Sequence, residues 1–580
     1  MRVWVADESC VDLRREDFLA RGGEGSVYLR QGRAYKIYDD TARALDESKI
    51  AELQRILDPR VVTPQEAIRR TKRGKVVGYR MPFIPDTEPL GRLFARSFKE
   101  RHGLTPDRLV ALAGELRDRF ASVHAAGALI VDANELNFLV PSSFDAVYAI
   151  DADSYETPGH PATAISPAIQ DPATVVDGFS RGSDWFAYAV LAFQLFTGLH
   201  PYKGKHPRVT TFAERVARRV SAFDPEVRWP RAAVPTKVIP AALAAWLEAV
   251  LGRGERTPPP TELGAAIALA LGGSLDSTAH LELALVDDLG AVVRYVVAAS
   301  ERWVLTSDGI YRDGRRVADA APSGARLALS PTGRAVVAHT TTGGDVRLFD
   351  VQNRVALEAP LRGDRLMATR GRVYLQRGDR LVELLLRDVG HHVVVTSRLC
   401  ARVLPHATRL FDGIAVQSLL GSIYLSFFPS AGRHLQLRVP ELDGHEIVAA
   451  YADGMIASVV HRDGHELRRA IVRVDIRGNY DFATETAHDA DPLALVALPS
   501  GVAVRVRQDD RLELFGTRPG STSRRHIDDP GIGADWQLTA QNGRVLCSRA
   551  GQVYRVSVRR HEPQEPSAKE PSAREPSAKA

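Results

Sequence analysis

Residues 124–151 read HAAGALIVDANELNFLVPSSFDAVYAID, and the fold turns on how this stretch is understood. A helical pattern runs into His124 and stops by Gly127. A short polar run then carries Asp132 and, five residues later, Asn137. The apolar run Phe138-Leu139-Val140 follows at once. A second apolar run, 146–150, ends in Asp151, fourteen residues beyond Asn137. Each residue alone is common, and an Asp- and Asn-rich turn between a helix and a strand has the same composition. What singles the stretch out is the order of the segments on either side of it.

At 580 residues the chain is too long for one core, and its length suggests about two to four domains. A hydrophobic share of 44% with 25% charged residues is that of an ordinary globular protein. The net charge of +5 is mild for this length, and no Lys/Arg run forms a stripe, so nucleic acid is not an expected partner. Cys10, Cys400 and Cys547 lie far apart, with neither metal-ligand nor disulfide spacing, which fits a reducing compartment. The opening MRVWVADESC lacks the apolar core of a signal peptide. No window offers the roughly 18 uninterrupted apolar residues of a membrane span. The most apolar helical run, 239–251, contains Glu248. A cytoplasmic protein without a membrane partner is expected.

Ahead of the opening stretch, LARGGEGSVYL (19–29) and RAYKIY (33–38) alternate as strands around a Gln31-Gly32 turn. Residues 43–57 have helical periodicity that stops at Asp58-Pro59, and 74–84 read as strand. From Pro106 the pattern is helical, over 107–127, then 184–198, and on to about residue 271. A small strand-rich part before a larger helical part is an α+β arrangement.

After Gly272 helical patterns vanish and short apolar strands recur, opened by Gly or Asp-Gly turns. Seven units can be anchored near Trp303, Gly333, Gly371, Gly413, Gly454, Gly501 and Gly543, in steps of 30–47 residues. That period suits four-stranded propeller blades. LALSPTGRAVVAH (327–339) and GGDVRLFDV (343–351) resemble WD40-type blades. The last unit lacks an outer strand, which LELALVDD (281–288) would supply, closing the ring and removing its open edges. EPSAK-type repeats begin at Glu565, Glu570 and Glu575; with almost nothing apolar to bury, residues 561–580 should be a disordered tail. Ser567, Ser572 and Ser577 read as part of a solvated linker rather than as phosphosites.

Residues 1–272 resemble the eukaryotic-type protein kinases, in the divergent bacterial Ser/Thr form. The family's G-x-G-x-x-G-x-V hairpin is matched by Ala20-Arg21-Gly22-Gly23-Glu24-Gly25-Ser26-Val27. The resemblance implies that Gly22 and Gly25 cover the triphosphate of ATP and Val27 the adenine. In Ala34-Tyr35-Lys36-Ile37, alternation puts Ala34, Lys36 and Tyr38 on one face. By resemblance Ala34 lines the adenine pocket, Lys36 reaches the α- and β-phosphates, and Met81 is the gatekeeper before the hinge. The family's lysine pairs with a glutamate on the next helix. Here Lys49 stands at the expected position, and Glu47 is preferred over Glu52 as the acid. Within 124–151 the resemblance makes Asp132 the group that orients the acceptor hydroxyl and takes its proton, with Asn137 and Asp151 as Mg²⁺ ligands. His124 reads as a packed helix-end residue. Ser183-Asp184-Trp185-Phe186 with LAFQLFTGLHPYKG (191–204) resembles the helix under the catalytic loop, whose Asp184 would accept that loop's backbone N–H groups. GERTPPP (254–260) resembles the Arg-Pro that closes the lobe.

Departures from the family pattern bear on rate and control. Val131 replaces the arginine that would meet an activation-loop phosphate, so phosphorylation of Ser154, Tyr155, Thr157 or Thr163 is not expected to be the main switch. Asn134 replaces a lysine that would neutralise the γ-phosphate. Asp-Phe-Gly becomes Asp151-Ala152-Asp153, and Ala-Pro-Glu is reduced to Ser166-Pro167-Ala168. The expected protein is an ATP- and Mg²⁺-dependent Ser/Thr kinase over 1–272, with a propeller of about seven blades over 273–560 that binds a protein substrate or partner. The alternative is a pseudokinase scaffold that binds nucleotide without efficient transfer. A small-molecule kinase is a weaker third, because a propeller offers a broad protein-binding face. Scattered histidines such as His391, His392 and His461 suggest no propeller enzyme.

Overall fold

The computed structural model describes residues 1–559 apart from 6–8, 22–23, 163–168, 175–177, 231–233, 265–277 and positions 279, 342, 465, 488, 530 and 534. Gly22, Thr163, the Ser166-Pro167-Ala168 run, the last part of the helical pattern near 271 and the 561–580 tail therefore lie outside the described residues.

The chain opens with a seven-stranded antiparallel sheet. Its strands are β1 (Arg2–Val5), β2 (Ser9–Asp12), β3 (Phe18–Arg21), β4 (Gly25–Arg30), β5 (Arg33–Tyr38), β6 (Glu66–Arg69) and β7 (Val76–Pro82), in the spatial order β2-β1-β6-β7-β5-β4-β3. Alternation along β5 places Lys36 and Tyr38 on one face, as expected, but both faces are buried. Tyr35 and Ile37 pack with Val3, Val5, Ile68 and Val77 in a small apolar cluster of their own. The helical pattern over 43–57 yields a shorter helix, α1 (Glu47–Leu53). The Asp46 carboxylate accepts from Ser48 N–H at 3.0 Å and so starts the helix there.

Two helices carry the next part of the chain. α2 (Arg96–His102) is followed by α3 (Pro106–Ala125), which Thr105 caps through Arg108 N–H at 3.3 Å with proline at the first turn. A three-stranded sheet, β8 (Thr87–Pro89), β9 (Phe138–Pro141) and β10 (Tyr148–Ala149), is ordered β10-β9-β8 and frames the 124–151 stretch. α4 (Arg181–Thr197) is apolar nearly all round and nearly all buried. It packs Trp185, Tyr188, Leu191 and Leu195 into one core with Leu112, Leu116, Phe120, Ile130 and Phe138. Each such side chain contributes about 1.5–3 kcal/mol relative to exposure. α5 (Phe212–Ala217) and α6 (Ala241–Glu248) complete the described α-helices of eight residues or fewer in this half.

From residue 281 onward the structure is built of strands. Seven four-stranded sheets follow: sheet 1 (293–319), sheet 2 (326–357), sheet 3 (365–402), sheet 4 (408–438), sheet 5 (446–486), sheet 6 (495–528) and sheet 7 (537–558 with 281–288). Sheets 1–6 are simple meanders. Sheet 7 takes β11 (Leu281–Asp288) as its outer strand, paired from Leu281 opposite Val558 to Asp288 opposite Gln552 with a register shift between Leu285 and Asp287. LELALVDD therefore supplies the strand that the last unit lacks. Apolar clusters join sheet 1 to 2 through Trp303 and Leu327, 2 to 3 through Val336 and Val373, and 3 to 4 through Met367 and Ala415. Others join 4 to 5 through Leu425 and Val459, 5 to 6 through Ile471 and Leu495, and 6 to 7 through Val504 and Leu538. Val304 and Leu546 join 7 to 1. Two ion pairs skip a sheet: Arg326 of sheet 2 meets Asp412 of sheet 4 at 2.8 Å, and Arg370 of sheet 3 meets Asp453 of sheet 5 at 2.6 Å. Gly413 is forced: a Cβ there would stand 1.8 Å from the Ala452 carbonyl oxygen.

Among the places where the two halves touch are α2, Arg92 ahead of it, and the 124–151 stretch. Arg101 pairs with Asp412 at 3.3 Å and Arg96 with Asp535 at 3.6 Å. Ser97 N–H donates to Asp491 at 3.3 Å, and Gln537 donates to Glu100 at 3.1 Å. Arg92 lies over the Phe411 ring, 4.8 Å from its centroid. Glu135, three residues past Asp132, forms an ion pair with Arg462 of sheet 5. The whole is a multidomain mixed α/β architecture. No helix among the described residues is long and apolar enough to cross a membrane.

Candidate functional site

Two hydrogen-bonded groups of polar side chains meet beside β5. The first centres on Lys36. Its Nζ donates to Asp151 Oδ1 at 2.7 Å and to Asp153 Oδ2 at 2.6 Å. Asp153 Oδ2 also accepts from Tyr38 OH at 2.5 Å, and Oδ1 accepts from Tyr79 OH at 2.8 Å. Lys49 of α1 donates to the Asp153 carbonyl at 2.7 Å. The two carboxylates differ in access: the Asp151 side chain is 39% exposed, that of Asp153 only 3%.

Charge separates them further. Burial works against the Lys36 ammonium, but the facing Asp153 and Asp151 charges outweigh it and hold the group protonated, well above its ordinary range. Asp151 is crowded by enough protein to lose much of its water although part of it stays open, and this, with the Asp153 charge beside it, pushes its carboxyl above the usual carboxylate range. Burial opposes ionisation of Asp153 too, yet the Lys36 charge and the Lys36 and Tyr38 hydrogen bonds hold it below that range. Burial and the Asp153 charge raise Tyr38 and Tyr79, which therefore stay protonated donors.

The second group is the loop itself. Asp184, buried at the start of α4, accepts from Ile130 N–H at 2.9 Å and Val131 N–H at 3.0 Å, and meets His124 Nε2 at 2.8 Å. The loop thus hangs from the helix below it. Asn134 donates to Asp132 Oδ2 at 3.0 Å, and Asn137 Nδ2 donates to the Asp132 carbonyl at 2.8 Å. Ile150 N–H donates to the Asn137 carbonyl at 2.8 Å and ties this loop to the turn that carries Asp151. Asp151 itself is left-handed, with φ 62°. Arg256, of the GERTPPP run, forms a two-pronged pair with Asp171 at 2.5 and 2.6 Å.

The structure brings Lys36, Asp151, Asn137 and Asp132 into this joined network. Val27 lies opposite Lys36 in the β4–β5 ladder, and Ala34 opposite Met81 in the β5–β7 ladder, so all four line adjoining strands. Gly25 is buried, and a Cβ on it would stand 2.2 Å from the Ile37 carbonyl oxygen, so strand packing alone demands a glycine there. The expectation that Glu47 pairs with Lys36 is corrected: Glu47 is exposed and pairs with Arg69. Glu52 accepts from Gly159 N–H at 3.1 Å. Asp153 went unrecognised as a site residue. An acid where the resembled family has glycine, with Tyr38 two residues along the lysine's strand face, is the signal that could have found it.

No family model matches the chain. It is 29% identical over 223 residues to the protein kinase YegI of Escherichia coli O157:H7, a match covering 35% of this chain and 34% of that protein. Against protein kinase YegI of Escherichia coli strain K12 it is 28% identical over 225 residues, with 35% and 34% covered. The chain thus spans about a third of the length of the curated relatives it matches. This is a distant likeness, and it links part of the chain to the kinase superfamily.

Proposed function

We propose that residues 1–272 transfer phosphate from Mg²⁺-ATP to serine or threonine side chains of a protein, and that residues 273–560 close into a seven-bladed propeller that holds a protein partner. The observation that carries this reading is the joined network of Lys36, Asp151, Asn137 and Asp132, slung from Asp184. Lys36 would hold the α- and β-phosphates. The part-exposed Asp151 carboxylate and the Asn137 amide are oxygen donors suited to magnesium, which keeps few protein ligands. When bound, that ion neutralises charge on the transferring group. Asp132 would orient the acceptor hydroxyl and take its proton; Gly22, Gly25, Val27, Ala34 and Met81 would enclose the nucleotide. Catalysis on this view is positioning and charge neutralisation of an in-line transfer. Closure of the propeller is supported by the β11 pairing in sheet 7 and by the clusters linking each sheet to the next, including 7 to 1.

Purified protein given labelled ATP and Mg²⁺ should label itself or a generic basic protein. Asp132→Ala and Asp151→Ala should each lower the rate by about 10²–10⁴-fold. Wild-type labelling no higher than that of Asp151→Ala would sink the reading. The pseudokinase alternative is favoured by the Asn134 hydrogen bond on Asp132, where the family has a cation free for phosphate. Magnesium-dependent ATP binding without turnover would select it.

A further inference from the structure

We propose that Asp153 is the positioning residue for Lys36, doing from the turn after β10 what the resembled kinases do with an acid on the helix. This rests on the kinase reading above.

Among the described residues, α1 offers no acid to the lysine. Glu47 points to Arg69 and Glu52 to the backbone at Gly159. Of the α1 residues, Ile50 and Leu53 are buried in the core and the one buried charged residue is Lys49, whose ammonium bonds the Asp153 carbonyl. A cation there would repel Lys36, and the Asp153 charge is what faces them both.

The two acids of the turn have different work to do. Both Asp153 oxygens are taken, Oδ2 by Lys36 and Tyr38 and Oδ1 by Tyr79, and the side chain has almost no open surface. It cannot turn outward to a ligand without leaving the Tyr38 and Tyr79 hydroxyls unpaired in a buried site and Lys36 with Asp151 alone. Asp151 keeps an open face and also bonds Lys36. When Asp151 turns to an ion, a lysine held by it alone would lose its anchor. With Asp153 it does not. The donors come from one patch of sheet: Tyr38 lies two residues beyond Lys36, and Tyr79 lies directly opposite it in the β5–β7 ladder. Asp153 stands two residues from Asp151 in the one-turn helix Ala152–Ser154 and its cap. The lysine's position is therefore set by carboxylates of the turn and by the sheet, with α1 supplying a cation to the same turn rather than an acid.

The test uses the full chain, with Mg²⁺-ATP binding and phosphate transfer measured side by side. Asp153→Asn should lower kcat at least tenfold and change the Kd for Mg²⁺-ATP by less than about threefold. Tyr79→Phe, which only loosens Asp153, should give a smaller loss of kcat with an unchanged fold. Glu47→Ala should stay within twofold of wild type. In a Lys36→Met background, Asp153→Asn should add no further loss, because its effect runs through the lysine. An additive loss in that background would mark Asp153 as merely structural and overturn the proposal. So would a Glu47→Ala loss matching that of Asp153→Asn, or a fully active Asp153→Asn, and in these cases the kinase reading stands. A wild-type chain that neither binds Mg²⁺-ATP nor transfers phosphate overturns both.

Discussion

Val131 is a buried β-branched residue at φ 61°, a left-handed conformation that such side chains avoid. Holding it there costs about 1–3 kcal/mol, and it persists only because its surroundings over-determine it. Asp184 does so by gripping the N–H of Val131 and of its predecessor. Asp184→Ala should therefore destabilise the protein by about 2–5 kcal/mol, since it orphans two buried N–H groups and the His124 contact together. Denaturant unfolding would measure this; a loss under about 1 kcal/mol would mean that the loop is held otherwise. Asp184 was picked out in the sequence through the resemblance of Ser183-Asp184-Trp185-Phe186 and the run after it to the helix under a kinase catalytic loop. Lys36, Asp132, Asn137 and Asp151 were picked out in the same way, and their roles belong to the proposed function. Asp153 was not picked out. Its partners Tyr38 and Tyr79 lie 115 and 74 residues away, and no local pattern reports a buried carboxylate shared by two strands.

Elements with their own local signals formed where the sequence placed them. α3 has Thr105 and Pro106 at its start, and α4 has Ser180 before it and Gly198 after it. α1 came out shorter than its periodicity because a cap at Asp46 outranks apolar spacing. α2 was missed altogether. RSFKERH has a single large apolar residue, Phe98, and much of what holds the helix is Asp412, Asp491 and Asp535, hundreds of residues later. At this scale the α4 cap is open to test. Ser180 Oγ accepts from Ser183 N–H at 3.2 Å, and Ser183 Oγ accepts from Ser180 N–H at 2.9 Å. Ser180→Ala should cost about 1 kcal/mol and fray the turn that presents Asp184. Amide exchange across residues 181–185 should quicken while α3 stays protected.

Across the whole molecule, the seven-unit repeat was readable because Gly and Asp-Gly turns recur at a blade-like period. The seating of one half on the other was not, because ion pairs such as that of Arg101 with Asp412 link positions with no sequence relation. Arg462 and Glu135 are both largely buried, so breaking their pair leaves an uncompensated charge. Arg462→Glu should destabilise the protein by about 3–5 kcal/mol and slow phosphate transfer, because Glu135 lies in the Asp132 loop. The exchange Arg462→Glu with Glu135→Arg should recover most of both losses. Thermal unfolding together with the labelling assay would read the cycle, and no recovery in the double variant would refute a specific pairing.

The same pair of residues has a thermodynamic corollary. A free-energy coupling between two sites is reciprocal. Whatever binds sheet 5 and alters the hold of Arg462 on Glu135 must change affinity at the Asp132 loop by some factor, and occupancy of that loop must change affinity on sheet 5 by the same factor. On the proposed reading, a protein partner held by the strand-built half would then act as an effector of nucleotide binding, and nucleotide as a regulator of partner binding, through one arginine and one glutamate.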